Sequence, residues 1–572
     1  MAAGDYQVAK ELAEELGFSV NGSTAVEDGG LPMIVVSNRH LRNIADEAWE
    51  ILVASNSPPS VFQRGHLLVQ IIRDDKGRPV IRALDKAAFT GILDRVADFM
   101  KVTADGLVPA RPPTDVVADM MAARELPMPL FRGIIHAPIF APSGLLVTQP
   151  GYQPETGYFL ELGANRTIPE VPHQPEDAAV KKALGLFLDD LLVDFRFASD
   201  ADKAHAFAVI LLPFVRELID GPTPLHMIES PTPGSGKGLL ADVLTIPAVG
   251  RGPTVMTEGR DEDEWRKRIT ARLIEGPQFI LIDNIRSGLD SAALSGALTA
   301  ETWQDRVLGH SRTVALPVTC VWLATGNNPS LSMEMARRTP SIRLDTGMER
   351  PWERTGFKHK NLRRWAWQHR GELIWAALVL IQAWIAKGRP AGTKSLGSYE
   401  SWSEVIGGIL ETVGVPGFLD NMARLYAAAD SDTTAWGQFC QVWWNALKDQ
   451  PVGADQLFTL ATTNHLLLNV WGGHISHGAR TRFGIALSKM RDRVVGEFCI
   501  QRAEPDSHTK APRYQLQQVA GGAGGSGGSG NHSKPGAQKN TAEVNQSEPF
   551  DKNPERVPNP PQGPATPREE ED

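Results

Sequence analysis

The residues best placed to do chemistry form a glycine-rich stretch from Pro231 to Gly238, between an apolar run and a helical pattern. A glycine-rich turn that opens a helix directs backbone N–H groups and the positive end of the helix dipole at a phosphate, while a lysine reaches the outer phosphates. The usual pattern, G-x-x-x-x-G-K-[ST], starts with glycine and ends with a Mg²⁺-binding hydroxyl residue, but these places hold Pro231 and Gly238. The stretch predicts a phosphate-binding loop. Its candidate nucleotide-binding residues are Pro233, Gly234, Ser235, Gly236, Lys237 and Gly238.

Two apolar runs downstream of the loop each end in polar residues. The first ends in Asp283 and Asn284, and the second ends in Asn327. A carboxylate at a strand end can hold Mg²⁺ beside a nucleotide, and an amide there can orient the attacking water. Taken singly, Asp283 is equally well explained as a capping residue of a buried strand, and Asn327 as part of an ordinary Asn-Asn-Pro turn.

An arginine pair, Arg337 and Arg338, follows the second run. A guanidinium at the edge of one subunit can stabilise the transferring phosphate in a neighbouring subunit's site, although a solvent-exposed arginine pair would explain these two residues on their own. The order of loop, acidic strand end, asparagine strand end and arginine pair is more specific than any of its parts. It predicts a multidomain α/β protein whose core is a parallel sheet that binds a nucleotide.

This ordered set resembles the P-loop core of AAA+ ATPases. Its tight spacing is similar to that of the superfamily 3 helicases of small DNA viruses and of the poxvirus-type primase–helicases of phages, plasmids and integrated mobile elements. The resemblance is specific over 224–345 and implies ATP and Mg²⁺ as cofactors, with Asp283 on the metal. It also implies a homo-oligomeric ring, expected to be a hexamer, in which Asn327 positions water and Arg337 or Arg338 acts on the adjacent subunit's site.

The resemblance extends to the segment before the third strand, residues 305–313. In the family the matching segment is a β-hairpin that carries basic residues into the central channel, so His310 and Arg312 are the implied contacts to single-stranded DNA. A polar hairpin with incidental charge is the open alternative. The first 220 residues contain no convincing acidic pair of the kind that a polymerase-type primase needs.

Two positions depart from the family pattern. Gly238 has no side chain to bind Mg²⁺, and Asn284 replaces the glutamate that many AAA+ proteins use as a base. Asp283, or a network that includes Glu258, would then have to polarise the water. The two departures leave open slow hydrolysis, or nucleotide binding without hydrolysis.

Composition shifts divide the chain into seven parts. We expect an N-terminal arm (1–30), an α+β domain (31–174), a helical collar-like segment (175–223), the AAA+ core (224–360), a helical domain (361–450), a winged-helix-like module (451–518) and a disordered tail (519–572). The tail opens with a Gly/Ser run and stays polar and proline-rich, a composition that cannot bury a core.

The bulk composition limits the partners. The 572-residue chain has a net charge of −9 and three separated cysteines, which fits a reducing cytoplasm and excludes a disulfide framework. No apolar run is long enough to span a membrane. Contacts to nucleic acid must therefore come from local basic surfaces, and residues 471–520 hold such a surplus. There a helix around 482–493 is expected to face duplex DNA with Arg491 and Arg493, although a solvated basic face is the usual explanation of such a count.

The interpretation that joins these features is a ring-forming, ATP-dependent DNA helicase or translocase of a mobile genetic element, acting on single-stranded DNA during replication. The first alternative is a nucleotide-gated DNA-binding initiator or regulator that does not unwind DNA. The second is a scaffold without nucleotide, in which the glycine-rich stretch is only a turn.

Overall fold

The computed structural model describes residues 30–519 except 105, 124, 163–166, 287, 307–312, 430 and 507–510. The predicted arm and the predicted disordered tail lie outside the described residues except at positions 30 and 519. Among the described residues no helix is long and apolar enough to cross a membrane.

Between residues 30 and 162 the described chain mixes short strands with three helices. The strands are β1 Met33–Val35, β2 Val61–Arg64, β3 Leu67–Arg73, β4 Pro79–Ala83, β5 Asp98–Thr103, β6 Gly106–Pro109, β7 Gly133–Ile135, β8 Ile139–Phe140, β9 Leu146–Val147, β10 Gly151–Gln153 and β11 Tyr158–Leu160. The helices are α1 Leu41–Ser55, α2 Lys86–Val96 and α3 Thr114–Ala122. Strands β2, β3 and β4 form an antiparallel sheet. Helices α1, α2 and α3 bury their apolar faces, together with strand residues such as Ile34 and Phe99, in a core separate from that of the central sheet.

A helical stretch leads from this part into the central sheet. It comprises α4 Asp177–Gly185, a π-helical turn Leu186–Leu191, α5 Asp200–Val215 and a 3₁₀ turn Arg216–Leu218. Helix α5 is buried along almost its whole length because it lies between the sheet and the helices that follow it. From Ala206 onward the helix is apolar on every face, as expected in such a place, while its first turns carry the buried polar residues Asp202 and His205.

Five parallel strands form the centre of the molecule. In chain order this region contains β12 Leu225–Ser230, α6 Lys237–Val249, β13 Thr254–Thr257, α7 Glu262–Glu275, β14 Phe279–Ile285, α8 Ala292–Thr299, β15 Thr302–Arg306, β16 Thr313–Pro317, β17 Val321–Asn327, α9 Met333–Ala336 and β18 Ser341–Arg343. The sheet order is β13-β14-β17-β12-β18. Strands β12, β14 and β17 are almost continuously buried, as expected where helices cover both faces of a parallel sheet. The predicted parallel α/β core is therefore confirmed.

The segment before β17 contains the two strands of the predicted hairpin. Strands β15 and β16 pair antiparallel, with Arg306 opposite Thr313. Asp305 on β15 accepts a hydrogen bond of 2.6 Å from Arg266 and one of 3.1 Å from Thr270, which attaches the hairpin to α7. His310 and Arg312 fall between the two strands and lie outside the described residues.

The last part of the described chain is helical and ends in a small sheet. It contains a 3₁₀ turn Pro351–Glu353, α10 Leu362–Gln368, α11 Arg370–Ala386, α12 Glu400–Val413, α13 Met422–Ala429, α14 Ser431–Leu447, β19 Val452–Gly453, α15 Ala454–Thr463, α16 Leu468–Trp471, α17 His477–Lys489, β20 Val494–Val495, β21 Phe498–Ala503 and β22 Arg513–Gln518. Helices α10 to α13 pack into the core of the central sheet. Helix α14 instead contributes Trp436, Phe439 and Trp443 to a separate C-terminal core, so the expected boundary at 450 falls after a helix that packs with the C-terminal module.

Candidate functional site

The sheet register brings the predicted strand ends together. Ser230, which ends β12 and starts the glycine-rich loop, pairs with Asn327 at the end of β17. Strand β14 runs beside β17 and carries Asp283 and Asn284 near its carboxyl end. Because all three strands are parallel, the loop, the carboxylate and the amide lie at one edge of the sheet, where ligands bind in open α/β sheets.

The loop has the backbone geometry that its glycines allow. Gly234 and Gly236 have φ angles of 74° and 94°, in the left-handed region that costs glycine little. Gly236 is the N-cap of α6, whose first residue is Lys237. The unpaired N–H groups of the first helical turn and the helix dipole therefore accompany the lysine at the same point.

The ammonium of Lys237 already contacts the amide predicted to orient water. Lys237 Nζ donates a hydrogen bond of 2.6 Å to Asn327 Oδ1 and one of 3.3 Å to Ser235 Oγ. Burial lowers the pKa of Lys237, and the charge of Asp283 acts in the opposite direction. The structure thus brings Lys237, Asp283 and Asn327 into one site.

A residue that was not predicted, Thr325, joins the two strand ends. Its hydroxyl donates a hydrogen bond of 2.7 Å to Asp283 Oδ1 and accepts one of 2.8 Å from the backbone N–H of Asn284. Asn284 adopts a φ of 58° beside an irregularity in the β14–β17 pairing, a conformation that Asn tolerates better than most residues. A hydroxyl residue within the apolar run before Asn327 was the sequence signal for this contact.

Gly234 within the loop and Gly238 at its end have different surroundings. Gly238 lies in the first turn of α6, and a Cβ added there would meet no atom within 4 Å. A Cβ at Gly234 would approach Trp352 Cε3 to 2.9 Å. The space for a hydroxyl side chain at position 238 is therefore present although the side chain is not.

The Trp352 side chain belongs to an aromatic rim beside the loop. Trp352 lies over Gly234, and Phe195 is 3.6 Å from the Cβ position of Gly236. Two open pockets of about 690 and 640 Å³ lie between residues 193–200 and 345–356. Phe195 lines the smaller one, and neither is lined by Trp352 or by the loop. Both pockets are lined by Arg196, Phe197 and Arg354. Sequence reasoning missed this rim because its two halves are far apart in the chain.

A buried arginine fixes the far end of the loop helix. Arg370 donates hydrogen bonds to the carbonyl oxygens of Ile246, Pro247 and Ala248 at 2.8–3.1 Å, and to that of His136 at 2.6 Å. The last carbonyl groups of a helix have no partner within it and carry its negative end. Arg370 therefore holds α6, and with it Lys237, against the helical part and the first part of the chain.

The predicted arginine pair lies at the other edge of the sheet. The carbonyl oxygen of Arg338 accepts a hydrogen bond from the N–H of Leu225, the first residue of β12, whereas the loop follows the last residue of that strand. At about 3.3 Å per residue, the length of β12 from Leu225 to Ser230 is roughly 17 Å. Arg338 is paired with Glu334 at 2.7 Å, while Arg337 is exposed. Neither arginine contacts the loop of its own chain.

The predicted DNA contacts in the C-terminal module need one correction. Helix α17 ends at Lys489, so Arg491 and Arg493 lie beyond the helix, next to β20, and not on it. The chain turns there because Asp492 adopts a φ of 62° and its N–H bonds to the carbonyl of Ile500 on β21. Both arginines are exposed, and Arg491 is paired with Asp492 at 3.0 Å.

The site offers few protein ligands for a metal. Among the described residues no group of three or more His, Cys, Asp or Glu side chains could hold an ion. A single carboxylate, Asp283, beside a phosphate-binding loop suits Mg²⁺, which keeps several waters and is usually bound by one or two carboxylates and substrate phosphates. Glu258, the other carboxylate that the sequence suggested near the site, accepts the N–H of Arg286 at 3.1 Å through one of its two oxygens.

The chain has distant likenesses among solved structures. No protein-family model and no curated protein matches it. The apo structure of the NrS-1 C-terminal region is 12% identical with a TM-score of 0.36, and the match covers 83% of this chain and 99% of that one. A JCV helicase with a bound acetamide compound is 12% identical with a TM-score of 0.17, over 44% of this chain and 72% of that one. Neither likeness carries a functional conclusion at such low scores.

Proposed function

We propose that this protein is an ATP-dependent DNA helicase or translocase with an AAA+ core. The observation that carries the proposal is the convergence of Lys237, Asp283 and Asn327 at the carboxyl edge of a parallel sheet, directly beside a glycine-rich helix start. In this proposal Lys237 and the loop N–H groups bind the outer phosphates of ATP. Asp283 binds Mg²⁺, which neutralises phosphate charge during transfer.

The rest of the nucleotide would lie against the aromatic rim. Trp352 lies near Gly234 and Phe195 near Gly236, two of the three glycines of the loop, and the pocket that Phe195 lines has the volume of a ligand site. The exposed ring of Trp352 offers a face on which a base can stack. Arg196 and Arg354 line both pockets, together with Asp345 in the larger one and Asp194 in the smaller one, and in the proposal these two arginines would contact the sugar and the inner phosphate.

The active form would be a ring. In one subunit Asn327 orients the attacking water, with Asn284 beside it. Arg337 of the neighbouring subunit supplies the charge that stabilises the transferring phosphate, because it is exposed while Arg338 is tied to Glu334. Arg337 adjoins Arg338, whose carbonyl bonds the first residue of β12, while the loop follows the last residue of that strand roughly 17 Å away by strand rise. This placement supports action between subunits. A hexamer is the expected closed form.

The DNA contacts of the proposal are divided between two regions. The hairpin β15–β16 would present His310 and Arg312 to single-stranded DNA, and hydrolysis would move it through its attachment to α7. Arg491 and Arg493 of the winged-helix-like module would contact the phosphates of duplex DNA.

The decisive experiment is an ATPase assay of the full chain and of Lys237→Ala, with and without single-stranded DNA. We expect DNA-stimulated turnover in the wild type and a loss of at least about 100-fold in the variant. Lys267→Ala, which removes a surface lysine paired with Glu264 at 3.2 Å, is the matched control. Undiminished DNA-stimulated turnover in Lys237→Ala would contradict the proposal.

A nucleotide-gated initiator that does not unwind DNA is the second candidate. The absence of a hydroxyl at Gly238 and of a glutamate at Asn284 favours it, since both departures slow hydrolysis more than binding. A strand-displacement assay separates the two candidates. Unwinding supports the helicase, whereas ATP-dependent ring formation in electron micrographs without unwinding supports the initiator.

A further inference from the structure

Arg343 lies beside the site, although neither the loop pattern nor the strand-end pattern includes it. It ends β18, the strand next to the loop strand, and its partner in the sheet is Glu229. Glu229 directly precedes Ser230, from which the loop starts. The guanidinium therefore lies at the same edge of the sheet as Lys237, on the opposite side of β12 from Asp283.

The side chain of Arg343 holds the turn that carries the water-orienting amide. Its Nη1 donates a hydrogen bond of 2.9 Å to Asn328 Oδ1, and the N–H of Asn328 bonds to the carbonyl of Ser230 at 3.2 Å. Asn328 adopts a φ of 42°, in the left-handed region that Asn tolerates better than most residues, and these two hydrogen bonds fix it there. Asn327, whose Oδ1 contacts Lys237, is the neighbouring residue.

Arg343 is itself fixed by a buried, charge-balanced network. Glu229 accepts a hydrogen bond of 2.8 Å from Ser341 Oγ and lies 3.6 Å from Arg343 and 3.7 Å from Arg424. Asp202, which is 1% exposed, accepts the backbone N–H of Arg343 at 2.8 Å and lies 3.6 Å from Arg424. Two buried carboxylates are thus matched by two arginines, as buried charges require.

We propose that Arg343 is a positioning residue for hydrolysis: through Asn328 it holds Asn327 in the orientation that places the attacking water, and Glu229 holds Arg343 there. The inference rests on the proposed ATPase function and adds to it a residue that acts within its own chain. Arg424, on α13, ties the same network to the helical part. Nucleotide binding does not require Arg343, because the loop and Lys237 reach the phosphates without it.

The test is a double-mutant cycle on the full chain, with kcat and KM for MgATP measured at saturating single-stranded DNA and the Kd of a fluorescent ATP analogue measured separately. Arg343→Gln and Asn328→Ala should each lower kcat about tenfold and leave Kd within about twofold. The double variant should be no slower than the slower single variant, because both changes remove the same hydrogen bond. Arg343→Lys keeps the charge beside Glu229 and should recover part of the turnover.

Three outcomes would overturn the inference: unchanged kcat in Arg343→Gln, a loss of nucleotide affinity that accounts for the slower rate, or single effects that multiply to about 100-fold in the double variant. Arg272→Gln, which breaks a surface pair with Glu275, is the control and should behave as the wild type. If Arg343→Gln proves unstable in a thermal melt, the exposed Asn328→Ala and Arg343→Lys carry the test. A wild type without turnover would overturn the proposed function and this inference together, whereas normal turnover in the variants overturns the inference alone.

Discussion

The polar residues of the central sheet and the basic residues of the C-terminal module are arranged in opposite ways. In the sheet, Lys237, Asp283 and Asn327 are far apart in the chain and meet at one edge. In the module, basic residues that are close in sequence have separate partners. Arg480 pairs with Asp455 at 3.3 Å and lies over the ring of Phe458, while Arg482 donates to the carbonyl of Trp471 at 2.8 Å.

The difference follows from the secondary structure that carries the residues. The carboxyl ends of neighbouring parallel strands share one edge, so polar residues that end apolar runs are brought together whenever the strands are adjacent. On a helix, residues two positions apart point to nearly opposite sides, and packing decides which side faces solvent. The number of Lys and Arg residues in a segment therefore indicates that its surface is charged. It does not indicate which of those residues are available to a ligand.

The largest expected effect is at Asp283. Asp283→Asn keeps the shape and removes the charge that would hold Mg²⁺, so we expect turnover to fall at least about 100-fold, ~2.7 kcal/mol on the barrier. Nucleotide binding without Mg²⁺ should change little. The control is Asp290→Asn, an exposed carboxylate after the same strand, which should leave turnover unchanged. Equal effects of the two substitutions would mean that the strand-end geometry does not define the site.

The next largest effect is a difference in how the stabilities of the central sheet and the C-terminal module depend on pH. His226 on β12 is fully buried, and burial lowers its pKa to about 3. The unfolded chain binds a proton near pH 6.5 and the folded chain does not, so stability is lost as the pH falls below about 6.5. Between about pH 6.5 and pH 5 this one residue accounts for about 2 kcal/mol. In the C-terminal module His465 and His474 are exposed.

We therefore expect acid to destabilise the central sheet first. Hydrogen–deuterium exchange at about pH 7.5, 6 and 5 under mild urea should show β12 losing protection before α17. His226→Phe removes the titrating group and should reduce the pH dependence of β12 by about one proton. Parallel loss of protection in both regions, unchanged by His226→Phe, would contradict the prediction.

The third effect tests which basic residues of the module face DNA. Arg491→Gln with Arg493→Gln should weaken binding to duplex DNA by about tenfold and lower the salt dependence by about one unit for each phosphate that is no longer neutralised. Arg480→Gln and Arg482→Gln remove interactions within the module, so they should lower its melting temperature and leave the salt dependence nearly unchanged. If Arg480→Gln and Arg482→Gln lowered the salt dependence and the Arg491 and Arg493 variants did not, the helix, and not the segment beyond it, would face the phosphates.

Particular residues show which features of the fold and the site could be predicted from the sequence. The loop, Asp283, Asn327 and the parallel sheet were predicted because glycine turns and strand ends have local signatures. Arg343 and the Trp352 rim were not, since their roles depend on strand order and on the path of the chain after β18. The end of α17 before Arg491 was also missed, because Asp492 in a left-handed conformation follows the helix and local propensity did not indicate that turn.

The smallest effect tests whether the atypical loop can be repaired. Gly238 faces open space, so Gly238→Ser adds the hydroxyl of the usual pattern without a clash and replaces a glycine in a helix, which favours folding by about 0.5 kcal/mol. If the missing hydroxyl limits hydrolysis, turnover should rise roughly three- to fivefold, ~0.8 kcal/mol on the barrier, and half-maximal rate should need less Mg²⁺. Gly238→Ala, which gains the helix stability and no hydroxyl, is the matched control. An equal rise in turnover in both variants would assign the effect to the stability of the helix and not to metal binding. No rise in either variant would mean that the missing hydroxyl does not limit hydrolysis.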